Sequence, residues 1–127
     1  YRQVNRDFSK ETPIVLWNNE TDLPDWALEH YPQAKVSMRV DDLYSMYAAV
    51  KAGIGIARMP CYLPDLINDN LVKRLPIEQP LSQWGVWVLS HVDLRNTAKV
   101  RCCREFLTER LLKRKSLFEG EESQYSD

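Results

Sequence analysis

Residues 35–60, K-V-S-M-R-V-D-D-L-Y-S-M-Y-A-A-V-K-A-G-I-G-I-A-R-M-P, read as one strand–helix–strand unit, and the rest of the chain can be arranged around it. Val36, Met38 and Val40 alternate with Ser37 and Arg39, the period-two pattern of a strand with one well-buried face. Asp41 and Asp42 stop it. Leu43, Met46, Tyr47 and Val50 then fall on a single helical stripe, with Asp42 or Asp41 as the N-cap for the first free N–H groups. Gly53 closes the helix, because the residue after the C-cap usually adopts a positive φ that glycine alone accepts freely. Ile54, Ile56 and Ala57 are too short a run for another helix, and Pro60 ends them, so they read as a second buried strand. A strand, a crossover helix and a strand of this length make a right-handed unit with the two strands parallel.

In an open parallel sheet the carboxyl ends of the strands and the amino ends of the helices emerge on one edge, where ligands sit. Here that edge carries Asp41, Asp42, Leu43 and Pro60, with Met59 beside it. Upstream, Pro13 to Trp17 is an apolar run suited to a central strand, and Asn18 to Asp22 is a turn and cap cluster directly after it. Trp17, Asn18 and Asn19 should therefore reach the same edge as Asp41. Leu23 to Tyr31 reads as a short helix capped by Asp22, with Pro24 in its first turn and Trp26, Leu28 and Tyr31 as apolar contacts. The order β-α-β-α-β is half of a doubly wound α/β sheet.

The flanks are less patterned. Residues 1–12 form a polar, mixed-charge lead-in without a period, expected to be irregular. After Pro60, C-Y-L-P-D-L-I-N-D-N is a short helix or turn interrupted by Pro64, and Leu71 to Leu75 is a strand with exposed charges. Trp84 to Leu89 is almost wholly apolar, the mark of a strand covered on both faces. Asn96 or Thr97 begins the longest helix, with Val100, Cys103, Leu107 and Leu111 on its core side and Lys113, Arg114 and Lys115 at its negative end. Beyond Phe118 the chain is acidic and polar and is expected to be disordered.

Composition bounds the function. The chain has 127 residues, enough for one domain but short for two complete lobes. It opens without Met, as a piece of a longer protein would. A formal net charge of -1 argues against this chain alone being a DNA-binding module. No apolar run approaches a bilayer span, and the first residues are not a signal peptide. Cys61, Cys102 and Cys103 lack paired spacing, which fits a reducing cytosol, and a plain thiol is the simpler reading of Cys61 than a redox sensor. His30 and His91 have no metal-ligand spacing, so no metal is expected. G-I-G-I-A lies after a helix and inside a strand, so it is no phosphate loop, and no cofactor is implied. Adjacent Asp41 and Asp42 diverge and do not make a catalytic dyad; no enzyme constellation is visible.

The succession V-D-D-L-Y-S-M-Y-A-A-V-K-A-G-I-G-I-A-R-M-P-C-Y-L, then L-V-K-R-L-P, then V-W-V-L-S-H, then V-R-C-C-R-E-F-L-T-E-R-L resembles the co-inducer-binding domain of LysR-type transcriptional regulators. That family's core is similar: a helix beginning with small or acidic residues, A-V-x-A-G-x-G-I-A-x-x-P, a leucine-valine strand, a Val-Trp strand and a closing helix containing F-L. Residues 36–112 match in order, and Ile14 to Trp17 fits the preceding strand. The resemblance implies a type 2 periplasmic-binding-protein-like fold: two Rossmann-like lobes with a small-molecule effector in the cleft between them. It implies a cytoplasmic homo-oligomer that touches DNA only through an N-terminal helix-turn-helix domain, with no membrane partner.

On that resemblance residues 13–90 are the second lobe and residues 91–115 the closing helix returning toward a first lobe that this sequence lacks. Residues 1–12 are the lead-in and 116–127 a disordered acidic tail. Trp17, Asn18, Asp41, Asp42, Leu43, Met59 and Pro60 are the effector-binding candidates. For the aspartates, capping a helix is the competing role; for Trp17, a place in the core; for Pro60, ending a strand. The alternative function is a solute-binding protein of a transporter with the same fold, which an upstream export signal or lipid anchor would reveal. An enzyme on a related two-lobed fold ranks third.

Overall fold

Three strands run parallel at the centre of the structure, a computed structural model that describes residues 1–3, 11–80, 82 and 85–123. The elements are β1 (Arg2–Gln3), β2 (Thr12–Trp17), α1 (Asp25–His30), β3 (Ala34–Val40), α2 (Leu43–Lys51), β4 (Ile56–Ala57), α3 (Tyr62–Leu66), β5 (Val72–Lys73), α4 (Ala98–Leu112) and α5 (Lys115–Glu119). The parallel sheet has the order β3-β2-β4, and β1 pairs with β5 in a separate antiparallel ribbon. Tyr1 exchanges backbone hydrogen bonds with Ala57, tying the ribbon to the sheet.

With β2 in the middle, the two crossovers leave in opposite directions, and right-handed connections then put α1 and α2 on opposite faces. The packing follows. Val15 joins Val40, Met46, Ala49, Val50 and Ala57 on the α2 face, whereas Ile14 and Leu16 join Ala27 and Ile56 on the α1 face. β2 is thus buried on both sides, as its unbroken apolar run requires.

The helix of the central unit has the expected stripe and both expected ends. Asp42 is its N-cap. At the other end Gly53 has φ 75°, Ile54 N–H donates to Ala49 O and Gly53 N–H to Val50 O, the paired bonds of a Schellman turn. Gly55 is needed for a different reason: a Cβ there would stand 2.6 Å from the Pro13 carbonyl oxygen.

β3 departs from the simple alternation. Ile14 pairs with Val36 but Val15 with Met38, so Ser37 is an extra residue bulging from the edge strand. Its hydroxyl donates to Ile14 O at 3.1 Å, satisfying the disturbed ladder. The slip moves Val36 to the α1 face and Val40 to the α2 face and leaves Met38 39% exposed, so the three do not share one buried face.

Other expectations are corrected. The lead-in is not wholly irregular, since Arg2–Gln3 and Thr12 are in strands; residues 4–10 lie outside the described residues. α1 is shorter than residues 23–31: Pro24 is its N-cap, Asp22 instead accepts from the Thr21 hydroxyl, and Leu28 is exposed. The second strand contracts to Ile56–Ala57, with Ile54 in the turn. Residues 85–89 form no strand: they pair with none of the described strands, and Trp87 and Leu89 are 78% and 85% exposed; residues 81, 83 and 84 lie outside the described residues.

α4 does begin after Thr97, yet none of its residues is buried, and Cys103 faces solvent, not a core. It stops at Leu112, so Lys113 is its C-cap and Lys115 opens α5. The segment expected to be a disordered tail includes α5, whose Leu117 is 2% exposed, and it continues ordered to Ser123; residues 124–127 lie outside the described residues.

Candidate functional site

The carboxyl ends of the parallel strands form one rim. Trp17 pairs with Val40, and Asn18 N–H extends the ladder by donating to Val40 O at 2.8 Å. Because β4 is parallel to β2 and pairs at Ile14 and Val15, its continuation through Met59 and Pro60 leaves the sheet at the same edge. Trp17 and Leu43, half-buried, pack on the cluster that holds Met59, Val15, Val40 and Met46. Asn18, Asp41, Asp42 and Pro60 are exposed around these apolar groups.

The two aspartates are not equivalent. Asp42 accepts from Ser45 N–H at 2.9 Å and from the Ser45 hydroxyl at 2.5 Å. Those two donors, the hydroxyl first, hold its carboxyl below the usual carboxylate range, with the Tyr44 N–H adding to them against a small effect of burial. Asp41 makes no hydrogen bond or ion pair among the described residues. Capping therefore engages one carboxylate and leaves the other open to solvent.

Two residues that sequence reasoning missed hold the rim in place. The Glu20 carboxylate accepts from Trp17 N–H at 3.0 Å while Glu20 N–H donates to Trp17 O at 2.9 Å. Arg39 reaches across from β3, donating to Glu20 O at 3.1 Å and Thr21 O at 2.9 Å. The available signal was an acidic residue three positions beyond the end of a strand, opposite an arginine on its neighbour.

A second polar cluster anchors the far end of α2. Asp69, with its side chain only 8% exposed, accepts from the Tyr47 hydroxyl, pairs with Lys51 Nζ at 2.9 Å and accepts from Leu71 N–H at 2.9 Å. Burial alone would raise its carboxyl, but the Tyr47 and Lys51 donors outweigh burial and hold it below the usual range. Burial and the same carboxylate push the Tyr47 phenol up, and the bond to Asp69 raises Lys51. Four residues away Asp65 behaves oppositely: burial raises it, although the Ser123 hydroxyl donates to it at 2.6 Å.

Among the described residues no three His, Cys, Asp or Glu side chains come together as metal ligands would, and all three cysteines are free. No described helix is long and apolar enough to cross a membrane.

The model of the LysR substrate binding domain matches residues 6–112. The chain belongs to that family. No curated protein and no solved structure matches it. The LysR substrate binding domain has a type 2 periplasmic-binding-protein-like fold, mixed α/β with a parallel sheet, and is a regulatory ligand-binding domain. The matched span contains the rim and α4 but stops short of α5.

Proposed function

We propose that this chain supplies one wall of the effector cleft of a LysR-type transcriptional regulator, with residues 13–90 as the second lobe and residues 91–115 returning toward a first lobe. The effector is a small molecule held between the lobes, in contact with Trp17, Asn18, Asp41, Asp42, Leu43, Met59 and Pro60. The observation that carries this reading is the shared rim, where three parallel strands bring a half-buried tryptophan, an open carboxylate and a Met-Pro corner to one edge. A ligand end facing this rim must accommodate the uncompensated charge of Asp41, so a donor or cationic group belongs there.

Binding that favours the closed arrangement of the lobes shifts the regulator between two states, in proportion to its differential affinity for them. In this reading the regulator is a cytoplasmic homo-oligomer and meets DNA through a separate helix-turn-helix domain. The test joins the chain to a first lobe and screens metabolites for thermal stabilisation, which specific binding to the folded state produces. For a hit, Asp41→Ala should weaken the stabilisation without lowering the melting temperature of the unliganded protein. An Asp41→Ala variant that binds every hit as the parent does would remove the rim from the site.

A further inference from the structure

After α4 the chain turns back onto residues 61–74. Only Lys113 and Arg114 separate α4 from α5, and Arg114 breaks the helical path with φ −113° and ψ 27°. Leu117 is then 2% exposed, and Phe118 meets Tyr62 of α3 at 5.4 Å between ring centres. Gly120, with φ 74°, ends α5 and brings its backbone close against two side chains: a Cβ there would stand 3.0 Å from both Arg74 Nη1 and Cys61 Sγ. Arg74 donates to Gly120 O at 3.2 Å, and the Ser123 hydroxyl donates to Asp65 at 2.6 Å. Cys61 directly follows Pro60 of the rim, so the segment is seated next to that corner.

α4 has no comparable hold, since none of its residues is buried. The arm is therefore fastened through α5. From Leu112 to Lys115 the chain reaches at most about 11 Å when fully extended, so the arm cannot travel further than that from α3 while α5 stays seated. The seat consists of Leu117, the ring pair and these hydrogen bonds, a small contact of the kind that opens without unfolding the core.

We propose that residues 115–123 are a strap that fixes the arm to the second lobe and must let go before the arm moves beyond the reach of its corner; on the two-lobed reading above, the strap is a brake on lobe movement. The test measures the distance between nitroxides on Glu29→Cys, exposed on α1, and on Cys102, exposed on α4, in the full 127-residue chain carrying Cys61→Ser and Cys103→Ser. A narrow distribution is expected, widened at least about twofold by Leu117→Ser and by Gly120→Val, which drives a side chain into Arg74. Unchanged amide exchange at Val15 and Val50 verifies that the core stays folded in both variants. Glu109→Gln, which removes only the pair with Lys113, should leave the distribution as it is. Joined to a first lobe, the chain should respond to Leu117→Ser and Gly120→Val in the same way with no effector added, so the result is independent of whether the rim binds one. A distribution already broad in the parent chain, or narrow in both variants, would overturn the strap. A two-lobed protein indifferent to both substitutions would overturn the brake.

Discussion

The parallel core of residues 12–60 and the arm of residues 85–112 are similarly supplied with large apolar side chains and treat them in opposite ways. In the core, Ile14, Val15 and Leu16 vanish from solvent because strands pair with β2 on both edges and helices cover both faces. In the arm, Val86, Trp87, Leu89 and Leu112 stay exposed, and α4 buries nothing. Apolar composition is an offer of burial that only a partner surface completes. The stability of the chain should therefore reside in the first region.

The largest contrast should come from truncation. Leu16→Ala is expected to cost about 4 kcal/mol in urea unfolding, whereas Leu89→Ala should change stability by less than about 0.5 kcal/mol. Comparable losses at both sites would mean that the arm is packed in solution. Glycines extend the comparison: Gly55→Ala drives a Cβ against the Pro13 backbone and should cost about 3 kcal/mol, too rigid a contact to relax. At Gly85 the nearest neighbour of a Cβ is the Trp87 ring at 3.4 Å, so alanine there should be almost neutral.

Next in size is the Asp69 clamp, which fixes the end of α2 to the turn before β5. Removing the carboxylate with Asp69→Ala should cost about 2 kcal/mol, because the Tyr47 hydroxyl and Leu71 N–H lose their acceptor. The pH dependence sharpens the point. Asp69 has a depressed folded-state pKa, so its contribution is present above the ordinary carboxylate range near about pH 4 and is lost as pH falls through the lowered value. Asp65 is raised, so its contribution is complete below that range and is lost as pH rises through the elevated value. Asp65→Asn should accordingly raise the melting temperature at neutral pH and lose that advantage in acid, while Asp69→Asn should lower it at neutral pH and converge with the parent in acid.

The smallest effect separates the adjacent aspartates of the rim. Asp42→Ala removes the cap on Ser45 and should lower the melting temperature slightly, with the difference shrinking as pH falls through the depressed Asp42 value. Asp41→Ala should leave it unchanged. A matching loss at Asp41 would show that it too stabilises the helix and is not held in reserve for a ligand.

Local rules reached far into the central unit. A helical stripe, an aspartate cap and a glycine stop are short-range features, each set by residues within one or two turns, so the position and ends of α2 could be read directly. The same period arguments placed Trp17, Asp41 and Pro60 at one rim, because parallel connections leave little topological choice. They failed where a distant partner intervened. The bulge at Ser37 puts Val36 and Val40 on opposite faces through pairing with β2, and nothing in K-V-S-M-R-V announces it. Glu20 and Arg39 meet only because β2 and β3 lie side by side.

By itself the amino-acid order determined the family, the β-α-β-α-β succession and the two ends of α2, since these depend on spacing and on the conformational preferences of single residues. The tertiary structure alone decided which apolar runs are buried, which aspartate is left open and that residues 115–123 fold back onto α3, because burial and long-range hydrogen bonds are properties of two surfaces brought together.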